Sequence, residues 1–190
     1  MNTIAKTSYT LNVAGLSREL QLCPLNDKLN IAAFILFGDV ELTSACANEL
    51  LKIAPEHDVI ITSESKGIPL AFEMARQSGN NNYIVARKSK KLYMKDVFSC
   101  EVNSITTAHK QTLYLDNIDA KNMKDKRILI VDDVISTGES LRALENLVTS
   151  AGGTIVGKMA VLAEGDAKNR TDISFLEALP LFDSEGLAIN

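Results

Sequence analysis

The chain has 190 residues, a length that suits one domain with a sizeable hydrophobic core. Apolar residues make up 46% of the sequence and charged residues 23%, which is ordinary for a soluble globular protein. The net charge of −4 argues against a general affinity for nucleic acid, and the three scattered cysteines without a Cys-x-x-Cys spacing predict reduced thiols in a cytoplasmic protein.

The beginning of the chain differs in pattern from the remainder. Residues 1–38 do not fit the alternation of strands and helices that follows, so we predict a small N-terminal segment (1–38) and a core (39–190). The first residues lack the apolar stretch of a signal peptide. No apolar run reaches the length of a membrane span, so we expect no membrane partner.

The next part of the chain alternates amphipathic stretches with short apolar runs. Residues 39–53 form a predicted helix, and residues 58–62 read as a buried strand. A second helix is predicted over 67–78, with Pro69 in its first turn, and a short strand over 83–86. This order is typical of a parallel sheet covered by helices.

The second half of the chain continues the alternation after a polar interruption. Residues 96–115 are polar and rich in β-forming residues, which favours a hairpin or a mobile flap. An apolar strand is predicted over 127–131, an amphipathic helix over 138–151, and a further strand over 154–162. The whole pattern predicts an α/β fold with ligands beyond the carboxyl ends of its strands.

The strand over 127–131 runs directly into two carboxylates, Asp132 and Asp133. A short loop follows and opens a helix, whose free N–H groups and positive dipole end favour a phosphate group. Carboxylates beside a phosphate make sense if they accept from a ribose diol or hold a divalent metal. Three hydroxyl residues in this region add donors for the phosphate: Ser136, Thr137 and Ser140.

Two further strand ends carry groups that suit phosphates. The loop Ser65-Lys66-Gly67 opens the second helix, although a simple capped helix would explain it equally well. Five basic residues follow the third strand within 87–95, where a solvated charge run is the alternative. Together the three ends offer a monophosphate seat, a diol or metal site and a diphosphate site, which are the groups of phosphoribosyl pyrophosphate.

Residues 128–140 resemble the signature of the type I phosphoribosyltransferase family, and the resemblance extends over residues 58–165. It implies a mostly parallel central sheet flanked by helices, a small N-terminal hood and a mobile flap at about residues 92–112. It implies that Asp132 and Asp133 contact the ribose hydroxyls during catalysis. The same resemblance assigns the 5′-phosphate to Ser136, Thr137, Gly138, Glu139 and Ser140. Glu139 is a departure, because purine enzymes of the adenine type usually carry glycine at this position, whereas other branches carry charged residues.

The resemblance also implies a pyrophosphate site and a flap. Pyrophosphate contacts are expected from Ser65, Lys66, Gly67, Arg87, Lys88 and Lys91. Mg²⁺ is the expected cofactor, and it would be held mainly through the pyrophosphate and ribose of the substrate. The flap lacks the Glu-Tyr-Gly of adenine enzymes, so no general base is assigned there. His109 is either a flap contact or a surface residue without a role.

The identity of the base acceptor rests on two short stretches. Residues 15–20 resemble the hood segment of adenine enzymes, which implies that Leu16 and Arg18 lie near the purine. Enzymes for 6-oxopurines tend to carry a lysine where residues 163–166 stand here, and its absence favours adenine, although Lys168 keeps the alternative open. We therefore expect adenine conversion to AMP in a cytoplasmic homodimer.

Other functions remain open at this stage. The same chemistry could serve xanthine, hypoxanthine, guanine or orotate. A regulator that senses phosphoribosyl pyrophosphate without catalysis would need a basic DNA-binding module, whereas residues 1–38 contain only Lys6, Arg18 and Lys28 as bases. A structural protein with a vestigial site is disfavoured because the acid pair and Thr137-Gly138 are intact.

Overall fold

A computed structural model describes residues 5–94, 96–102 and 111–189. Its elements in chain order are β1 (Ser8–Val13), β2 (Leu16–Pro24), β3 (Leu29–Ala32), α1 (Val40–Ile53), β4 (Val59–Ser63), α2 (Ile68–Gln77), β5 (Ile84–Ala86), β6 (Phe98–Val102), β7 (Gln111–Leu115), α3 (Asn117–Met123), β8 (Arg127–Ile135), α4 (Glu139–Ser150), β9 (Thr154–Glu164), a 3₁₀ helix over Gly165–Asn169, β10 (Ser174–Leu179), β11 (Leu181–Asp183) and β12 (Ala188–Ile189). The predicted strands and helices of the core are present, with bounds that differ by a few residues.

The central sheet has five strands in the order β10-β9-β8-β4-β5, and every neighbouring pair is parallel. Apolar side chains from both faces of this sheet form two clusters. One cluster packs against α1 and α2, and the other packs against α3 and α4. The α/β fold expected from the sequence is confirmed, and all the carboxyl ends of its strands lie at one edge.

A second sheet of five strands has the order β1-β2-β3-β11-β12 and joins the two ends of the chain. Phe182 of β11 pairs with Asn30 of β3, and the Lys6 N–H donates to the Glu185 carbonyl at 3.0 Å. Residues 181–189 lie in the predicted core (39–190), but they hydrogen-bond to the predicted N-terminal segment (1–38). Sequence alone did not show this pairing, because the two partners lie at opposite ends of the chain.

The predicted hairpin in the second half of the chain is present. Strands β6 and β7 pair antiparallel, with Phe98 opposite Leu115 and Val102 opposite Gln111. Leu113 and Leu115 are buried in the same cluster as the side chains of α4. The predicted flap (92–112) overlaps this hairpin, whose second strand continues to Leu115, while His109 and Lys95 lie outside the described residues.

Candidate active site

The sequence predicted that the strand ends before the acid pair. In the structure β8 instead continues through the pair to Ile135. It continues because Asp132 pairs with Ala160 and Val134 with Leu162 on the parallel strand β9. Successive side chains of a strand point to opposite faces, so the two carboxylates leave the backbone in different directions. The acid pair therefore sits inside the sheet near its carboxyl edge rather than in a solvated loop.

The acid pair has little contact with solvent, which makes its negative charge unfavourable. Asp133 is only 3% exposed, and within the described part of the chain its Oδ2 atom has no hydrogen bond. The Nζ atom of Lys66 lies 3.3 Å from that oxygen. Burial raises the pKa of Asp132 well above its usual range, and the adjacent charge of Asp133 raises it further. Burial and the neighbouring charge therefore both favour the protonated form of Asp132.

Gly67 allows the loop after β4 to approach the acid pair. A Cβ atom at this position would overlap the Thr62 hydroxyl and would stand 2.9 Å from the Asp132 Oδ1 atom. The neighbouring peptide bond Glu64–Ser65 is cis. Only glycine fits between the loop and Asp132, so the structure brings the predicted pyrophosphate loop and the predicted ribose site together.

Glu64 organises the basic segment after β5, a role that the sequence did not indicate. Its carboxylate lies 3.2 Å from an Arg87 guanidinium nitrogen and 3.4 Å from the Lys91 Nζ atom, and it accepts from the Lys88 backbone N–H at 3.0 Å. Burial alone would raise the pKa of Glu64, but the Lys88 N–H bond and the charges of Lys91 and Arg87 hold it below its usual range. In the sequence, the only sign of this role is that Glu64 lies between a predicted strand and the loop that contains Lys66.

The loop after β8 has the features of a phosphate seat. Gly138 is the N-cap of α4 with φ +77°, and no side chain caps the helix. The first-turn N–H groups are therefore open to a ligand. Among the described residues, no protein group hydrogen-bonds the side chains of three predicted phosphate contacts: Ser136, Thr137 and Ser140.

Arg18 and Leu16 lie in β2, a strand of the second sheet. The Arg18 guanidinium donates to both Asp39 carboxylate oxygens at 2.6 and 3.1 Å and to Glu41 at 2.8 Å. Asp39 also accepts from the Leu42 N–H and so caps α1. Leu16 packs against the first core cluster. The structure thus gives Arg18 a link to α1 that the sequence did not predict.

The end of β9 carries a carboxylate that feels the charge of Lys66. Glu164 is half-buried, and burial raises its pKa, while the positive charge of Lys66 partly opposes that shift. Asp166 and Lys168 in the following 3₁₀ helix are exposed. Glu164 is therefore the polar group that β9 contributes to the carboxyl edge of the sheet.

The described ranges contain no cluster of three or more histidine, cysteine, aspartate or glutamate residues arranged for a metal ion. Over the same ranges, no helix is both long and apolar enough to cross a membrane.

A parallel sheet with its polar groups gathered at one edge is typical of the α/β class of proteins, in which ligands bind beyond the carboxyl ends of the strands. The model of the phosphoribosyl transferase domain matches residues 41–179. The chain therefore belongs to the phosphoribosyltransferase family. The match covers the central sheet and leaves out both chain ends that build the second sheet.

Individual relatives give the same result. A hypoxanthine/guanine phosphoribosyltransferase of Methanococcus voltae is 33% identical over 135 residues, which is 71% of this chain and 68% of that protein. An adenine phosphoribosyltransferase of Ureaplasma parvum is 32% identical over 117 residues, 62% of this chain and 64% of that protein. The alignments thus span about two thirds of these relatives.

Solved structures share the fold at low sequence identity. The adenine phosphoribosyltransferase of Thermoanaerobacter pseudethanolicus superposes with a TM-score of 0.68 at 19% identity, covering 84% of this chain and 95% of that one. The Saccharomyces cerevisiae enzyme, solved with adenine, gives a TM-score of 0.65 at 20% identity and covers 83% and 92%. These similarities establish the type I phosphoribosyltransferase fold.

Proposed function

We propose that this chain transfers the 5-phosphoribosyl group from phosphoribosyl pyrophosphate to a purine base, with adenine as the preferred acceptor and AMP and pyrophosphate as products. The observation that carries the proposal is the position of the acid pair. Asp133 lies 3.3 Å from the Lys66 ammonium of the loop after β4, and the uncapped start of α4 follows the acid pair after one short loop of the chain. The donor has a phosphate, a diol and a diphosphate in that order.

The acid pair would bind the ribose and stabilise the transition state. Asp132 and Asp133 accept from the ribose hydroxyls, while the bond from C1 to pyrophosphate breaks and the bond from C1 to a purine nitrogen forms. The proton on that nitrogen leaves to solvent or a nearby base. Positive charge develops on the sugar, as in other glycosyl transfers, and a carboxylate beside it lowers the barrier.

The cationic residues would stabilise the departing pyrophosphate. Lys66 extends from the loop beside the acid pair, and Glu64 holds Arg87, Lys88 and Lys91 on the adjacent strand end. Ser65 and Gly67 complete the loop with backbone donors. This set can neutralise a diphosphate, which carries several negative charges.

The acid pair also suits Mg²⁺. Carboxylate oxygens are ligands that Mg²⁺ prefers, and the Asp133 Oδ2 atom is buried without a hydrogen bond in the described part of the chain. The ion would be held mainly by the pyrophosphate and ribose of the donor, with the acid pair beside it. When bound, Mg²⁺ would neutralise charge on the pyrophosphate and make it a better leaving group.

Adenine is supported by the resemblance at residues 15–20 and by the character of the β9 end. Glu164 offers an acceptor, which a 6-amino group needs, whereas a 6-oxo group needs a donor. Leu16 and Arg18 are proposed base contacts. Since Asp39 and Glu41 hold the Arg18 guanidinium, the backbone of this segment is the better candidate for the contact.

A 6-oxopurine is the second candidate, because the Methanococcus voltae relative at 33% identity is a hypoxanthine/guanine enzyme. The exposed Lys168 would be its donor. A cytoplasmic homodimer also remains a proposal. The exposed apolar side chains of Val40 and Phe72 line one depression of about 180 Å³ near the starts of α1 and α2, and a second subunit could cover them.

The deciding experiment offers adenine, hypoxanthine, guanine, xanthine and orotate separately, each with phosphoribosyl pyrophosphate and Mg²⁺, and measures nucleotide by chromatography. We expect AMP as the main product. Inosine or guanosine monophosphate as the main product would transfer the assignment to the 6-oxopurine alternative. If the chain binds the donor but forms no nucleotide from any base, the sensing regulator would replace the enzyme.

A further inference from the structure

We propose that Arg170 is an additional binding residue for the donor, supplying a fixed positive charge to its 5′-phosphate. This inference rests on the proposed function, because it concerns the same donor. Arg170 follows the 3₁₀ helix after β9 and is separated from the phosphate loop by the whole of α4 and β9. Neither the charge pattern nor the spacing of the sequence points to it.

The guanidinium of Arg170 lies directly against the start of α4. A Cβ atom built on Gly138 would overlap the Arg170 Nη1 atom and would stand 3.6 Å from its Cζ atom. Gly138 is the N-cap of the helix and the centre of the predicted phosphate loop. The absence of a side chain there allows the guanidinium to reach the loop that receives the phosphate.

Asp172 fixes the direction in which Arg170 points. Its carboxylate accepts from Nε at 2.9 Å and from Nη2 at 2.7 Å, which uses one edge of the guanidinium. The Nη1 group is turned to Gly138, and within the described residues it has no hydrogen-bond acceptor. Asp172 thus presents the remaining donors of the arginine to the loop, the arrangement that a phosphate oxygen can use.

A second cation ties this pair to helix α4. The Lys158 ammonium lies 2.5 Å from Asp172 and 2.6 Å from Glu145, which belongs to α4. The side chain of Lys158 is 17% exposed and that of Arg170 is 30% exposed, so both pack against the protein and do not extend into solvent. The helix, the lysine and the aspartate therefore hold the arginine in one place before any ligand arrives, which reduces the ordering needed on binding.

The local charge explains why such a residue is useful. Residues 136–140 contain no basic side chain, and two aspartates directly precede the loop. The helix start contributes only about half a positive charge at this end. Arg170 would add a full charge that the backbone donors lack.

The test compares Arg170→Gln with Arg127→Gln. Arg127 makes the same two-point contact with an aspartate, Asp58, but at the opposite end of β8. We expect Arg170→Gln to raise the KM for phosphoribosyl pyrophosphate and the Kd for ribose 5-phosphate by roughly 10- to 100-fold. Inhibition by inorganic pyrophosphate, the KM for the base and kcat should change little. Arg127→Gln should leave all of these constants unchanged.

Two further variants separate binding from structure. Arg170→Lys keeps the charge and should recover part of the lost ribose 5-phosphate affinity, while Asp172→Asn should give an intermediate loss. A normal Kd for ribose 5-phosphate in Arg170→Gln, or an equal loss of pyrophosphate affinity, would overturn the proposal. If the unmodified chain bound ribose 5-phosphate without forming nucleotide, only the transfer function would fail; if it bound none, both would fail.

Discussion

Asp133 is only 3% exposed, because it lies within a strand of the central sheet. A buried charge with an unpaired oxygen lowers the stability of a fold, and Lys66 offsets that penalty from a single direction. Such a group persists where its chemistry is needed. The two predictions at the scale of single residues follow from this conflict between stability and function.

Asp133→Asn should separate activity from stability. We expect kcat to fall at least about 100-fold, because the developing charge on the sugar loses its neighbouring carboxylate. The melting temperature should stay level or rise, because a buried charge is removed. Steady-state kinetics and thermal unfolding measure both. Asp58→Asn, at the opposite end of the sheet, is the control and should leave kcat unchanged while lowering the melting temperature. Near-normal turnover of Asp133→Asn would contradict the assignment.

The raised pKa of Asp132 predicts a dependence of stability on pH. Above about pH 4 the unfolded chain has released the proton that the folded acid pair still holds, so the free energy of unfolding should fall as the pH rises. Urea titrations from pH 5 to pH 8 at about one-unit intervals measure this slope. Asp132→Asn should flatten it. An unchanged slope in that variant would show that Asp132 does not cause the dependence on pH.

At the scale of elements, the loop between β4 and α2 depends on Gly67. Gly67→Ala should push the loop away from Asp132, raise the KM for phosphoribosyl pyrophosphate at least about tenfold and destabilise the fold by about 1–3 kcal/mol. Gly79→Ala is the control, because its φ of +76° makes alanine unfavourable there but nothing lies within 4 Å. It should lose stability without a change in KM. Equal kinetics of both variants would exclude the close approach.

The link between β2 and α1 tests the two roles open to Arg18. Asp39→Ala removes the N-cap and should destabilise the chain by about 1 kcal/mol. If Arg18 acts only through Asp39, Arg18→Ala should lower the melting temperature, and the double variant should be no worse than Asp39→Ala. A rise in the KM for the purine in Arg18→Ala, but not in Asp39→Ala, would instead show that Arg18 contacts the base.

At the scale of the whole molecule, the second sheet fastens the two chain ends together. Phe182 from the C-terminal part is 2% exposed, and its ring lies 5.1 Å from that of Tyr9. The family match over residues 41–179 leaves this sheet out. Its strand β2 carries Leu16 and Arg18, the residues proposed to contact the base.

Phe182→Ala should destabilise the molecule by about 3–5 kcal/mol, since it leaves a cavity between the two chain ends. The activity of the molecules that remain folded should change mainly in the KM for the purine. Ile118→Ala is the control, because Ile118 is 68% exposed and its truncation should cost little stability. Denaturant unfolding and steady-state kinetics distinguish the two, and equal stability of both variants would contradict the packing.

The sequence alone determined the local features of this protein. The apolar periodicity located α1, β4, α2, β5 and α4, because each is encoded by neighbouring residues. The motif from Ile128 to Ser140 identified the family, because the acid pair, the hydroxyls and Gly138 are adjacent in the chain. Three short strand ends were also sufficient to place the candidate site at one edge of the sheet.

Only the tertiary structure decided what depends on partners distant in the chain. Strand β8 extends beyond the acid pair because β9 offers it a hydrogen-bonding neighbour. The C-terminal strands join the N-terminal sheet for the same reason. The roles of Glu64 and Arg170 follow from contacts with residues far along the chain, and no local pattern records them. The acid pair Asp132 and Asp133 was recognisable in the sequence, but its burial and the raised pKa of Asp132 arise from the packing around it.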